Sequence, residues 1–218
     1  MSANQIVPIS DPQAKAAEAT ATAMREAVAA FRGLGSYLQR IFGTVPEDLI
    51  GYFGGDRLKI ARAENIVRIL NRSKLVNDQR GVAPEPISIS LALPLLVAAA
   101  DESRDELVEL WARLLAAAAD PSRSSRFRIA FIDIVKRMDP LDAIVLRAFH
   151  RHRTALMNLQ SHSETLQHIQ NELKITQDEL EASAFNLKKL ELGVSSTYWA
   201  FGELSSLGRE FLRAVGEA

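Results

Sequence analysis

The chain has no cysteine. That excludes disulfide frameworks, thiolate nucleophiles and cysteine-based zinc sites together, and it suits a reducing cytoplasm. No sign of charge dominates either: 26 basic and 27 acidic side chains nearly cancel, so no global field selects nucleic acid or an anionic membrane. Long apolar runs are missing as well. The longest, "ISISLALPLLVAAA" from Ile87 to Ala100, spans 14 residues and is interrupted by Pro94, whereas a membrane helix needs roughly 20. It reads as a buried helix. The N-terminal "MSANQIVPISDPQAKAAEA" lacks the basic start and continuous apolar stretch of a secretory signal and reads as a leader to the first helix. No Gly-x-Ser-x-Gly elbow and no glycine-rich phosphate loop ending in Lys-Ser/Thr occurs, which argues against the common hydrolases and nucleotidases. The expectation is a protein without catalytic residues, cofactor or metal.

What is present is helical punctuation. Thr44 to Glu47, Ser103 to Glu106, Ser161 to Glu164 and Thr176 to Glu179 each fit a capping box, and Asp139-Pro140 adds a helix start with proline at the first position. Pro94 is assigned the same first-turn role. The resulting helices lie near 13 to 42, 46 to 77, 93 to 101, 103 to 119, 127 to 138, 140 to 152, 164 to 174, 177 to 192 and 206 to 215. Only "PISIS" and "VSSTYWAFGEL", Val194 to Leu204, are left as extended candidates, the latter as a two-stranded ribbon. The fold class is mainly α. At 218 residues the chain divides into an N-terminal amphipathic helix (1–45), a central helical domain (46–139) and a C-terminal domain (140–218).

Three segments invite a functional reading. Phe31, Leu34, Leu38, Ile41 and Phe42 form an amphipathic face around Gly33 and Gly35, two glycines that suggest a kink or a close helix contact, of which the close contact is preferred. From 57 to 80, seven basic residues face only Glu64 and Asp78. Arg57, Arg62, Arg68, Arg72 and Lys74 are therefore candidates for contact with phosphate, anionic lipid or an acidic partner, unless the acidic "DESRDELVE" stretch balances them. In "LVELWARLLAAAADPSRSS", Leu107, Leu110, Trp111, Leu114, Leu115 and Ala118 repeat at helical spacing, so Trp111 reads as core, and Asp105, Glu106 and Glu109 complement the helix dipole.

The stretch from Leu93 to Phe149, with "LPLLVAAADESRDELVELWARLLAAAADP", "AFIDIVKRMDPLDA" and a helical tail, resembles the abortive infection alpha family of bacterial proteins. Upstream "GYFGGDRLKIARAENIVRIL" and downstream "NLKKLELGV" and "LSSLGREFLRA" are similar in kind, extending the resemblance over most of the chain after about residue 45. The resemblance implies a role in phage defence through sacrifice of the infected cell. It brings no catalytic residue to transfer.

The last third runs "SETLQHIQNEL", a turn, the capped "TQDELEASAFNLKKLELG", the candidate ribbon and "SSLGREFLRAV", the order of a winged helix. Its core is assigned to Leu166, Ile169, Leu173, Ile175, Leu180, Ala184, Leu187 and Leu190, with Gly193 as a left-handed helix cap. Leucines 159, 166, 173, 180 and 187 recur at sevens, but the helix restart at Thr176 argues against a zipper. Residues 164–218 carry five basic and nine acidic side chains, a charge of −4, which would repel duplex DNA. Phe185, Lys188 and Lys189 are assigned instead to a protein contact. His150 and His152, and His162 and His168, have spacings that do not make a metal pair. The reading is a cytoplasmic, non-enzymatic interaction protein that binds a partner or itself. A DNA-binding regulator and a membrane-disrupting effector acting through Phe31 to Phe42 or Leu91 to Ala100 are the alternatives.

Overall fold

The computed structural model describes residues 11–43, 57–156, 162–194 and 203–216, and it is mainly helical. In chain order the helices are α1 (Asp11–Gly33), α2 (Gly35–Phe42), α3 (Arg57–Arg80), α4 (Ile89–Ala99), α5 (Asp105–Ala119), α6 (Ala130–Lys136), α7 (Pro140–Arg151), α8 (Arg153–Leu156), α9 (His162–Leu173), α10 (Gln177–Lys189) and α11 (Ser206–Val215). Among the described residues the only strands are β1 (Gly193–Val194) and β2 (Glu203–Leu204). They pair antiparallel with Gly193 opposite Leu204. The two ends of the expected ribbon are thus in place.

Helix α5 is the centre of the fold. Leu107, Val108, Leu110, Trp111 and Ala112, and then every residue from Leu114 to Ala119, are buried, and α3, α4, α6, α7 and α11 all pack on it. Four alanines at its end let those neighbours approach a backbone that carries only methyl groups, while Trp111, 1% exposed, fills the wider space nearer its start. The apolar spacing read from the sequence therefore locates the core correctly. One cluster of buried side chains runs from Ala27 to Val215. Helix α11 closes it at the far side. Phe131 and Phe211 meet edge to face with centroids 5.7 Å apart. Arg113 Nη1 donates to the Val215 carbonyl at 3.1 Å, and Arg123 Nη1 to the Arg213 carbonyl at 2.8 Å. Two guanidinium groups thereby donate to carbonyls at the helix end, where positive charge is favoured.

Several boundaries differ from the sequence reading, each for a local reason. The first helix is broken at Leu34, between Gly33 and Gly35; a Cβ added at either glycine would meet nothing within 4 Å. The glycines weaken the helix rather than admit a close neighbour, so the close-contact reading is corrected to a break. Helix α4 begins at Ile89, which puts Pro94 inside the helix instead of in its first turn and moves the end of "PISIS" from extended to helical. The preceding segment is pinned by backbone bonds, Glu85 N–H to the Ala119 carbonyl and Ile87 N–H to the Ile41 carbonyl. The Ser103–Glu106 box does not form: Arg104 is the cap of α5, and the Glu102 carboxylate accepts from the Arg104 N–H at 3.0 Å and from its guanidinium at 2.8 Å. A short 3₁₀ turn, Ser124–Arg126, precedes the helix expected from 127, and α6 starts later, at Ala130.

Two helix starts agree with the sequence. Asp139 precedes Pro140, with the Asp142 carboxylate accepting from the Asp139 N–H at 2.8 Å, and Thr176 and Glu179 cap α10 reciprocally. Thr44 to Glu47 and Ser161 lie outside the described residues. The left-handed residue after α10 is Glu191 (φ 61°), not Gly193. Leu192 N–H bonds the Leu187 carbonyl around it, and the helix ends without glycine. Glycine is needed later, at Gly208, where a Cβ would lie 2.0 Å from the Leu192 carbonyl oxygen.

Candidate interaction surface and a histidine–carboxylate cluster

The basic helix and the acidic stretch meet. On α3, Arg62 grips the Asp101 carboxylate through both Nε (2.5 Å) and Nη2 (3.1 Å). Arg68 and Arg72 share Asp105 Oδ1, at 2.5 and 3.1 Å, and also donate to the backbone carbonyls of Ser103 and Asp105. Asn65 Nδ2 adds a bond to the Ala100 carbonyl at 3.0 Å. Residues 100 to 105, which turn the chain from α4 into α5, are thus laced to one face of α3 by the residues singled out from the charge pattern. Lys74 pairs along its own helix with Asp78 at 2.7 Å. The side chain of Arg57 lies outside the described residues. Each such exposed pair stabilises by less than about 1 kcal/mol, so the lacing orients the turn more than it holds the fold together.

The C-terminal candidates stand on α10. Phe185 is exposed, and the Lys189 ammonium sits 4.5 Å from its ring centroid. Lys188 beside it is exposed. Asn186, a residue that a DNA-reading helix would present outward, instead donates to Asp142 Oδ2 at 2.6 Å and to the Arg137 carbonyl at 3.2 Å, joining α10 to the start of α7. Ile169, Leu180, Ala184, Leu187 and Leu190 are buried as expected, with Leu166, Leu173 and Ile175 partly buried against them.

Two features were missed in the sequence. A cleft of about 290 Å³ opens between the end of α5 and α11, lined by Arg123, Arg126, Phe127, Glu210 and Arg213 among others. Its arginines are largely committed, Arg123 to Asp120 and Arg213 to Glu210. The second is a cluster of His152, His168 and Glu172. His152 ends α7, while His168 and Glu172 lie one turn apart on α9 and so share a face. His152 Nε2 donates to Glu172 Oε2 at 3.1 Å, Arg151 holds Oε1 at 2.6 Å, and the two imidazoles meet edge to face with centroids 5.2 Å apart. The hydrogen bond from His152, then that from Arg151, outweighs desolvation and holds the Glu172 carboxyl below the usual carboxylate range. Judging histidines only against each other hid this grouping. One histidine of each sequence pair meets the other here, and the signal available was the i, i+4 spacing of His168 and Glu172. His162 is separate, its Nδ1 donating to the Leu156 carbonyl at 2.8 Å.

These features define a mainly helical protein built on an alanine-rich central helix. The sequence model of the abortive infection alpha family matches residues 61–200, and the chain belongs to that family. No curated protein and no solved structure matches it.

Proposed function

We propose that the protein acts in abortive infection as a non-enzymatic cytoplasmic interaction module that associates with a second copy of itself. Membership in the abortive infection alpha family supports the role, and one surface supports the mode. Helix α4 contains no charged residue, yet Ile89, Leu93 and Val97, at i, i+4 and i+8, form an exposed apolar stripe along it. Two such stripes related by a two-fold axis would bury each other without opposing like charges. The C-terminal order of α9, α10, ribbon and α11 supports a winged-helix-like unit, whose Phe185, Lys188 and Lys189 offer a further protein contact. Readings through DNA or membrane draw less support. Arg62, Arg68 and Arg72 already bind Asp101 and Asp105, and among the described residues no helix is long and apolar enough to cross a membrane.

The test joins two measurements. Bacteria expressing the protein are challenged with a phage panel and scored for plaque reduction and host death, while light scattering gives the mass of the purified protein. The wild type should protect and run as a dimer or larger, and Leu93→Glu should run as a monomer and lose protection. Absence of protection by the wild type across the panel would remove the defence role. Unchanged mass in Leu93→Glu would remove α4 as the self-association face.

A further inference from the structure

We propose that His152, His168 and Glu172 form a binding site for a divalent transition-metal ion of the zinc class, joining the carboxyl end of α7 to α9. One donor atom from each side chain lies within 4.8 Å of the other two. Ligands in a tetrahedral zinc shell with bonds of about 2.0 Å stand roughly 3.3 Å apart. His152 Nε2 and Glu172 Oε2, at 3.1 Å, already meet that spacing. Movement of no more than about 1.5 Å would bring the widest pair to it, within reach of side-chain rotation in His168, which is exposed.

The chemistry of the donors agrees. Two imidazoles and one carboxylate are a three-ligand zinc set that leaves a fourth position for water, and the partly open site gives water access. The carboxylate supplies one negative charge, and the carbonyl end of α7, which His152 terminates, attracts a cation. Arg151 occupies Oε1 of Glu172 and leaves Oε2 directed at the histidines, the kind of outer contact that orients a metal-binding carboxylate. Neither histidine ring is drawn into the apolar core. Binding would displace the proton that His152 shares with Glu172 and replace one hydrogen bond with three coordinate bonds across two helices.

The ordinary alternative is a hydrogen bond and a ring contact with no metal. Titration of Zn²⁺ into the full chain at neutral pH, followed by calorimetry, separates the two. One equivalent should bind and be removed by a chelator, and Co²⁺ in its place should show the visible absorption of a four-coordinate nitrogen–oxygen site. Loss of outer contacts alone weakens metal sites by roughly tenfold or more, so His152→Ala and His168→Ala should each weaken binding by at least about that factor. His162→Gln, outside the cluster, should bind as the wild type does. Circular dichroism of His168→Ala, altered only at an exposed position, should match the wild type. Failure of the wild type to bind stoichiometric Zn²⁺, or equal affinity in the wild type and folded His168→Ala, overturns the proposal.

Discussion

Helices α4 and α5 are adjacent in sequence and packed together, yet they use apolar side chains in opposite ways. Helix α4 has no charged residue and leaves Ile89, Leu93 and Val97 exposed; α5 carries Asp105, Glu106, Glu109 and Arg113 and is buried along most of its length. Apolar content therefore does not decide burial here. What decides it is the number of neighbours that can approach. The small side chains of Ala112 and of 116 to 119 admit helices from several directions onto α5, and its charges cluster in the first turns, where α3 supplies arginines. Helix α4 is gripped on the side of Ala92, Leu95, Leu96 and Ala99.

Substitutions along the two helices should sharpen that contrast. Trp111→Ala removes the largest buried side chain of α5 and should cost about 3–5 kcal/mol in urea unfolding. Ala116→Leu forces a larger side chain into a fully buried position and should cost about 1–3 kcal/mol in the same assay; a loss below that range would show that α5's neighbours are loosely packed. Asp105→Asn takes from Arg68 and Arg72 their shared charged acceptor, and because Asp105 is exposed and both arginines are partly so, the loss should stay under about 1 kcal/mol and shrink with added salt. Leu93→Glu on α4 should change the stability of the monomer least, by about 0.5 kcal/mol or less at protein concentrations too low for association, since Leu93 stands half exposed there. A large destabilisation there would mean that the contrast between the helices is false.

Most of the architecture could be read in the sequence because it rests on local rules. The spacing of Leu107 to Ala118 located the core helix, Asp139-Pro140 and Thr176–Glu179 marked true starts, and "SSLGREFLRAV" marked the final helix. Errors arose where a contact that helix spacing does not report overrode the expected signal. Glu102, held by Arg104, replaced the Ser103 cap; burial opposes its charge, but the Arg104 bonds outweigh that and hold its carboxyl below the usual range. Backbone bonds from Ile41 and Ala119 ordered the segment before α4 and let its helix begin ahead of Pro94. Glu191 took the left-handed position that glycine usually fills because the geometry of the helix end, closed by Leu192, was satisfied without it. The histidine cluster was hidden for the same reason: α7 and α9 bring together residues 16 and 20 positions apart, a distance that no periodicity reports.

The bond from Arg113 to the Val215 carbonyl spans 102 residues. At a translation rate of about 5–20 residues per second, Arg113 is synthesised roughly 5 to 20 seconds before Val215. Through that interval the nascent chain presents its central helix with the side that α11 will cover still open.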